Sequence, residues 1–394
     1  APSYNPTGMI TINDEELYSG TAGNLTRLGG QNTNAISDTR VFAKLIATPI
    51  KDMVLNAEFT YDNLNETETK YSKRTRFANS DKFSEEYTSD YSTYSRQRAI
   101  TNYTALNIYG SYAKSFANNN FSLLLGYNQE SNHYDYLKAE TSNMINDDMP
   151  SISQSVGVQK AYDKFTEYTV MGFFGRLNYD FANRYLLELN GRYDASSKFP
   201  SGSRWGFFPS VAAAWDITEE PFFKALNLSN VNLLKIRASY GKTGTETDVE
   251  RFGYLSTYSL KEDVICIGGK SLFGFSEGAL VAPELLTWYT RNSLNYGLDY
   301  AFLNNRIKGN IDYFYYVTEG GLMSPKDRYT TPLGKDLPQI KSDSKHRREG
   351  FEFNAKWSDN VEDFTYEIGT NMTYYNNLWV KKADEKITDL KNPW

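Results

Sequence analysis

The stretch Arg184-Tyr-Leu-Leu-Glu-Leu-Asn-Gly-Arg-Tyr-Asp194 decides the fold class of this chain. One set of alternate positions is apolar or aromatic and comprises Tyr185, Leu187, Leu189, Gly191 and Tyr193. The intervening set is mostly polar and comprises Leu186, Glu188, Asn190 and Arg192. Successive side chains of a β-strand point to opposite faces, so the segment predicts a strand with one apolar and one polar face. A strand that has lipid on one side and water on the other needs this division.

The composition agrees with a membrane β-barrel. Mean hydropathy is low at -0.58, and the sequence has no run of 18 apolar residues that would predict a transmembrane helix. Barrel strands escape such a scan because their polar positions cancel their apolar ones. The 31 Tyr, 23 Phe and 6 Trp among 394 residues suit a bilayer interface, where an aromatic ring meets hydrocarbon and a hydroxyl meets water.

Tight turns and long polar connections alternate along the chain. Six strand pairs are predicted: 40–48 with 52–62, 100–116 with 121–137, 166–180 with 184–196, 205–216 with 232–242, 288–302 with 306–318, and 346–357 with 363–376. Asn, Asp and Pro occupy the short turns within pairs, as in Phe181-Ala-Asn-Arg184. An outer-membrane barrel has short turns on the periplasmic side and long loops outside. The sequence therefore predicts an all-β fold, an antiparallel transmembrane β-barrel.

Seven charged residues of the predicted strands share one face. They are Arg176, Glu188, Arg192, Lys235, Arg237, Asp299 and Asp312, and we expect them to face the lumen. The outward positions of 185–193, 234–240, 294–302 and 307–315 carry no charge, which fits lipid because a charge at mid-bilayer costs roughly 2–4 kcal/mol. The alternative is a large soluble all-β protein, but its core would favour Val and Ile over this density of Tyr.

About twelve strands are predicted, either as a closed pore or as part of a larger barrel. The first 39 residues have a loop-like composition, and the tail from Asn376 lacks an alternating pattern. An open sheet would leave unpaired backbone groups in hydrocarbon.

Other chemistry is weakly supported by the sequence. A single cysteine, Cys266, excludes an internal disulfide, and net charge -6 argues against nucleic acid as a partner. Ser111–Lys114, Lys242-Thr-Gly244 and Ser358-Asp-Asn360 resemble serine β-lactamase motifs in the wrong chain order, so no enzyme is predicted. We expect no cofactor, apart from a weak calcium candidate at Asn146-Asp-Asp148.

Several segments resemble the SusC/RagA family of TonB-dependent outer-membrane transporters. They are Arg192–Phe199, Arg204–Trp215, Leu234–Gly244, Asn295–Arg306, Asp312–Thr318 and Arg348–Phe353. The resemblance implies that residues 1–394 are the barrel portion of such a transporter, without its plug domain, and form about twelve strands of a barrel of 22. It also implies the outer membrane of a Gram-negative bacterium, and lumen residues that face the plug or the solute path.

The same resemblance implies a function and partners. Family members import large nutrients, oligosaccharides or oligopeptides, with a SusD-like surface lipoprotein over the barrel mouth and the TonB complex as the energy source. The loop tyrosines Tyr87, Tyr91 and Tyr94 fit sugar stacking and lipoprotein contact equally well. The Lys345-His-Arg-Arg348 cluster is interpreted as a lumen-mouth or loop cluster, or as a contact for lipopolysaccharide or an acidic substrate. Lipid and lipopolysaccharide are expected to surround the barrel. Two alternatives stay open, a siderophore or cobalamin receptor and a structural or adhesive barrel that transports nothing.

Overall fold

Strands dominate the computed structural model, which describes residues 8–79, 84–268, 270–277, 286–323 and 340–382. The strands are β1 (Met9–Ile12), β2 (Glu15–Tyr18), β3 (Gly30–Ala47), β4 (Met53–Ser72), β5 (Arg76–Asn79), β6 (Ser84–Tyr87), β7 (Thr93–Phe116), β8 (Asn119–Ser142), β9 (Lys160–Phe181), β10 (Tyr185–Ser196), β11 (Trp205–Asp216), β12 (Val231–Thr245), β13 (Tyr258–Ile267), β14 (Lys270–Glu277), β15 (Tyr289–Phe302), β16 (Ile307–Glu319), β17 (Leu322–Met323), β18 (Ile340–Lys341), β19 (Lys345–Val361) and β20 (Phe364–Lys381). The helices are α1 (Ala22–Leu28) and α2 (Pro221–Ala225), and 3-10 turns cover Ser201–Ser203 and Ile217–Glu219.

Twelve strands form one sheet in the order β20-β19-β16-β15-β12-β11-β10-β9-β8-β7-β4-β3. Each strand pairs with its nearest sheet strand along the chain, and every register from β9 to β20 is antiparallel. The hairpins β5–β6, β13–β14 and β17–β18 belong to long connections. The predicted strand count and the alternation of short and long connections are confirmed.

The strand limits differ from the prediction at the ends that lead into long connections. Strand β3 begins at Gly30 within the segment predicted as loop, and β20 continues to Lys381 through the tail in which no strand is predicted. Strands β7 and β8 are also longer than predicted. The extensions of β3, β7 and β8 are mostly polar on both faces, and that of β20 has Leu378, Trp379 and Val380 in succession. The backbone ladder therefore continues where the hydrophobic alternation has ended.

Left-handed backbone geometry closes the tight turns. Between β9 and β10, Ala182 and Asn183 have φ of 56° and 58°, and between β15 and β16, Leu303, Asn304 and Asn305 have φ of 55°, 58° and 64°. Positive φ at the central residues of a hairpin turn matches the twist of the flanking strands, and asparagine tolerates that geometry.

The β11–β12 connection, which is longer than the other connections within strand pairs, contains α2. Glu220 precedes α2 and accepts hydrogen bonds from the Tyr185 hydroxyl, from Trp215 Nε1 at 3.0 Å and from Arg184 at 3.4 Å. The hydrogen bond from Tyr185 is the main reason that the pKa of Glu220 is lowered. Its carboxylate thus ties this connection to the ends of β10 and β11.

The registers from β9 to β20 align side chains into cross-strand rows on two distinct faces. One apolar-face row runs Tyr179, Leu187, Ala213, Ala238, Tyr296, Tyr313, Phe351, Tyr374, and the next runs Phe181, Tyr185, Trp215, Ile236, Leu298, Ile311, Phe353, Met372. Neither row contains a charge. Leu187 is 37% exposed and Ile311 is 42% exposed, so this face is a surface and not a packed core.

Two compact units divide the chain. The first contains the described residues as far as Ala43 together with those in Thr60–Thr104 and Ser131–Glu167. Here Asn24 ties α1 to the ends of the β1–β2 hairpin, since its amide donates to Ser19 O at 3.0 Å and Gly8 O at 3.3 Å. The Gly20 amide donates to Ala78 O of β5 at 2.9 Å.

The second unit contains Lys44–Phe59, Ala105–Glu130 and the described residues from Tyr168 onward. Its buried apolar cluster comprises Phe199, Phe208, Val249, Leu286 and Trp288. A Cβ at Gly244 would lie 2.1 Å from the Phe208 ring, so glycine is needed there for the close approach. Across the described residues of both units, no helix is long and apolar enough to cross a membrane.

Candidate functional site: the polar face of the sheet

All seven charged residues that the sequence assigned to the lumen lie on one face of the sheet. Asp312 pairs with Gly297, which pairs with Arg237, and Asp299 pairs with Lys235. Glu188 pairs with Asn178 and Ala212, and Arg176 pairs with Asn190. Directly cross-strand partners point to the same side of a sheet. We call this side, which also carries Arg192, the polar face.

Four of these residues form one ion-pair network, which we call the Arg237 network: Lys235, Arg237, Asp299 and Asp312. Arg237 Nε donates to both oxygens of Asp299 at 3.0 and 2.9 Å, and Nη2 donates to those of Asp312 at 3.1 and 3.2 Å. Lys235 Nζ lies 3.1 Å from Asp299. The Asp312 side chain is only 10% exposed, and two cations balance two anions. The network therefore holds strands β12, β15 and β16 together without leaving a net charge.

Gly297 makes the network possible because it leaves space above β15. The Arg237 guanidinium must cross β15 to reach Asp312 on β16. A Cβ at Gly297 would lie 2.6 Å from Arg237 Cζ and 2.6 Å from Asp312 Oδ1. Such contacts are shorter than van der Waals distances, so a larger residue would displace the guanidinium.

We expect Gly297→Ala to lower the free energy of unfolding of the full-length protein by about 1–3 kcal/mol, because it overpacks the Arg237 network. The matched control is Gly369→Ala on the same face of β20, where an added Cβ has no neighbour within 4 Å. Denaturant titration in detergent or lipid measures both changes. Equal effects of the two substitutions would contradict a role for Gly297 in seating Arg237.

The remaining predicted residues form two separate, smaller groups. Arg176 Nε donates to Asn190 Oδ1 at 2.7 Å and lies 4.0 Å from Glu188. Arg192 donates to Asp194 at 2.8 and 3.0 Å and to Asn128 at 3.0 Å. Asp194 and Asn128 were not predicted, although the period of two already places Asp194 on the face of Arg192.

A concave region of about 630 Å³ lies on this part of the second unit. Its lining includes Arg176, Asn190, Arg192, Asp194, Phe174 and Phe208. The Arg192 guanidinium carbon lies 5.4 Å from the centre of the Phe174 ring, within cation–π range. Arginines, amides and aromatic rings in one concavity can contact polar solutes through both hydrogen bonds and stacking.

The three loop tyrosines belong to the first unit. Tyr87 ends β6, and the Arg74 guanidinium lies 4.0 Å from its ring centre. Tyr91 is 57% exposed between β6 and β7. Tyr94 in β7 lines a concavity of about 400 Å³ together with Lys70, Lys138 and Glu140. A role for any of them in ligand or lipoprotein contact stays a prediction.

The calcium candidate already uses its oxygens within the protein. Asn146 Oδ1 accepts from the Asp148 amide at 2.9 Å, Asp147 accepts from the Tyr71 hydroxyl at 2.8 Å, and Lys73 lies 3.5 Å from Asp148. Within the described ranges, no three His, Cys, Asp or Glu residues group as metal ligands. Calcium binding here remains untested.

Comparison with known proteins identifies the fold family. The profile described as "TonB dependent receptor-like, beta-barrel" matches residues 3–393. The chain belongs to this family. Its twelve-stranded sheet is thus part of a TonB-dependent receptor-like β-barrel in the outer membrane, and the apolar face is the lipid-facing side. On β10 the apolar-face positions are free of charge from Tyr185 to Tyr193, a span that matches the roughly 9–11 residues that a transmembrane strand requires.

Individual relatives place the chain within the TonB-dependent receptor-like family. It is 32% identical over 271 residues to TonB-dependent receptor SusC of Bacteroides thetaiotaomicron. The aligned region covers 69% of this chain and 26% of SusC. A chain of the RagAB peptide importer superposes with TM-score 0.80 at 18% identity, over 95% of this chain and 39% of that chain. The siderophore receptor PiuA of Acinetobacter baumannii superposes with TM-score 0.50 at 11% identity, over 91% of this chain and 50% of the PiuA chain. The sequence therefore spans about a quarter of the length of SusC.

Proposed function

We propose that this chain is the barrel portion of a SusC-like transporter that imports a large nutrient, an oligosaccharide or an oligopeptide, across the outer membrane. The observation that carries the proposal is the 32% identity to SusC over 69% of the chain. The RagAB complex is a peptide importer, and its similarity supports the shared fold. The transporter would work with a SusD-like lipoprotein at the surface and with the TonB complex.

The polar face supports passage of a hydrated solute. The charges of the Arg237 network are paired within the protein, so this part of the face is hydrophilic without strong net charge. The concavity around Arg192 adds hydrogen-bonding groups beside aromatic rings, which suits sugars and peptides. We propose no covalent chemistry, because import requires binding and release.

A receptor for a siderophore or cobalamin has weaker support. The siderophore receptor PiuA shares the barrel fold at 11% identity and TM-score 0.50, compared with 0.80 for the RagAB chain. A structural or adhesive barrel that transports nothing has no observation in its favour.

Deletion of the gene in its native host tests the proposal. We expect loss of growth on one class of oligosaccharide or oligopeptide as sole carbon source, with unchanged growth on the corresponding monomers. Purification of the tagged full-length protein should also recover a surface lipoprotein. A growth defect confined to iron or cobalamin limitation would replace the nutrient importer with the siderophore or cobalamin receptor.

A further inference from the structure

Two arginines lie on the polar face of the second unit, at the end with the long connections. The three cross-strand rows between the Arg237 network and that end run from Ser239 to Tyr375, from Gly241 to Asn377 and from Thr243 to Trp379. These rows contain Arg291 and Arg348 but no Asp or Glu. This end of the polar face therefore differs from the Arg237 network, where carboxylates balance the cations.

Neither arginine has an anion of its own in the described part of the chain. No carboxylate of a described residue lies within ion-pair distance of Arg291 or Arg348. Arg291 is exposed and Arg348 is half-buried, and Arg348 Nε donates to Asn377 Oδ1. The next row toward the short turns contains Asp312, but that carboxylate already accepts from Arg237. The two guanidinium groups are thus available to an anion from outside.

Tyrosine rings hold both guanidinium groups in place. The guanidinium carbon of Arg291 lies 5.1 Å from the centre of the Tyr316 ring, and that of Arg348 lies 5.8 Å from the same centre. Arg348 also lies 4.9 Å from the centre of the Tyr375 ring. These distances are within cation–π range. A guanidinium whose face contacts a ring keeps its N–H groups at its edge, where a carboxylate accepts two parallel hydrogen bonds.

Phe314 extends this aromatic surface toward the Arg237 network. Its ring centre lies 6.0 Å from that of Tyr316, with 21° between the ring planes. A Cβ at Gly350 would lie 2.8 Å from Phe314 Cζ and 2.8 Å from Tyr375 Cβ, so glycine is needed for the close approach of these residues over β19. We call this set of side chains the arginine–aromatic patch: Arg291, Phe314, Tyr316, Arg348 and Tyr375.

The patch contains part of the basic cluster at residues 345–348. His346 and Arg348 lie on the polar face, whereas Lys345 and Arg347 lie on the opposite face of β19. There each has a carboxylate partner, at 2.9 and 3.3 Å. Among the lysine and arginines of this cluster, only Arg348 lacks an ion pair with a described residue.

We propose that the arginine–aromatic patch binds the carboxylate groups of an acidic oligosaccharide as it enters the lumen. This inference rests on the proposed import function and narrows its substrate class. Long connections lie outside the cell in barrels of this type, so the patch lies at the end of the polar face that an incoming solute meets first. Arg291 and Arg348 provide the hydrogen-bond donors, and the rings provide surfaces for the C–H faces of the sugars.

The combination of cations and rings favours a carboxylated sugar over an acidic peptide. A uronic acid carries its carboxylate at the edge of a ring whose faces expose C–H groups, so one sugar residue contacts an arginine and an aromatic ring together. An aspartate or glutamate side chain ends in a carboxylate on a flexible stem and offers no ring face to Phe314. A neutral oligosaccharide would leave both guanidinium groups without an anion.

The test measures binding of defined oligosaccharides to the full-length protein in detergent by isothermal titration calorimetry. The probes are oligomers of galacturonic, glucuronic and guluronic acid, the carboxyl-reduced neutral form of each, and a glutamate oligopeptide. The patch variant is Arg291→Gln/Arg348→Gln. The control variant, Lys308→Gln/Lys356→Gln, removes two cations from the polar face near the short turns.

We expect at least one of the acidic oligosaccharides to bind the unaltered protein. Its reduced form should bind about tenfold more weakly, and the patch variant should show a similar loss for the acidic form, because a hydrogen bond between charged groups is lost. The control variant should bind as the unaltered protein does. Equal binding of acidic and reduced forms, equal affinity of the patch variant, or no binding of any acidic oligosaccharide would overturn the inference. Binding of the glutamate oligopeptide alone, lost in the patch variant, would assign the patch to acidic peptides.

A second pair of variants keeps the inference testable if the patch variant does not fold. Arg348→Lys keeps the charge but loses the planar fork of donors, and it should weaken binding of the acidic oligosaccharide. Arg347→Gln removes a charge from the adjacent residue on the other face and should leave binding unchanged. Equal affinity of these two variants would contradict recognition by Arg348.

Growth of the deletion strain separates this inference from the proposed import function. A defect on acidic oligosaccharides supports both. A defect confined to neutral oligosaccharides or to peptides would keep the importer and remove the acidic substrate. Normal growth on every oligomer would remove both.

Discussion

Ala213→Arg should destabilise the full-length protein by roughly 2–4 kcal/mol if the apolar face contacts the bilayer core. Ala213 lies between Leu187 of β10 and Ala238 of β12 in an uncharged row. An arginine there would project its guanidinium into hydrocarbon. The cost arises because the charge loses its hydration and gains no partner.

The adjacent alanine is the control for this substitution. Ala212 lies on the polar face opposite Glu188, so Ala212→Arg would place the same charge beside a carboxylate. We expect a change of less than about 1 kcal/mol there. Reversible denaturation in lipid vesicles measures both variants. A reversed order of stability would mean that the two faces have been assigned to the wrong environments.

Arg237→Met should lower the free energy of unfolding by about 2 kcal/mol. Removing one partner of a buried ion pair costs about 3–5 kcal/mol, and we lower this value because the Arg237 side chain is 33% exposed. Asp299 would keep Lys235, but Asp312 would lose its cation. The same substitution at Arg176, which is 55% exposed and 4.0 Å from Glu188, should cost less than about 1 kcal/mol.

A double variant separates charge from packing at this site. Asp312→Asn removes the carboxylate that Arg237→Met leaves uncompensated, so the double variant should recover most of the lost stability. The measurement is the denaturant midpoint of four proteins: the unaltered protein, Arg237→Met, Asp312→Asn and the double variant. If the double variant is as unstable as Arg237→Met alone, the arginine acts mainly through the packing of its aliphatic stem.

The face of each strand residue was predictable from sequence where the alternation is strong. Leu187, Glu188, Leu298 and Asp299 lie on the predicted faces because a register slip of one residue would move every side chain to the wrong face. The turn residues were predictable for a similar reason, since Asn183 and Asn304 adopt backbone angles that few residues tolerate.

Other features depend on distances that a sequence does not contain. The contact between Arg237 and Asp312 crosses β15 and needs the space above Gly297. The first residues of β3 and the last residues of β20 lack hydrophobic alternation, so only backbone pairing reveals them. Residues 345–348 were interpreted as a single basic cluster. Because side chains of a strand alternate, Lys345 and Arg347 lie on one face of β19 and His346 and Arg348 on the other.

The pairing of each sheet strand with its nearest sheet neighbour along the chain has an evolutionary consequence. Because five of the six within-pair connections are tight turns, each of those hairpins closes with a small loss of chain entropy and sets its own alignment. Sequence can therefore be inserted or replaced between hairpins without changing which strands meet. Related proteins can diversify the segments outside the cell, where solutes first arrive, while the wall in the bilayer stays the same.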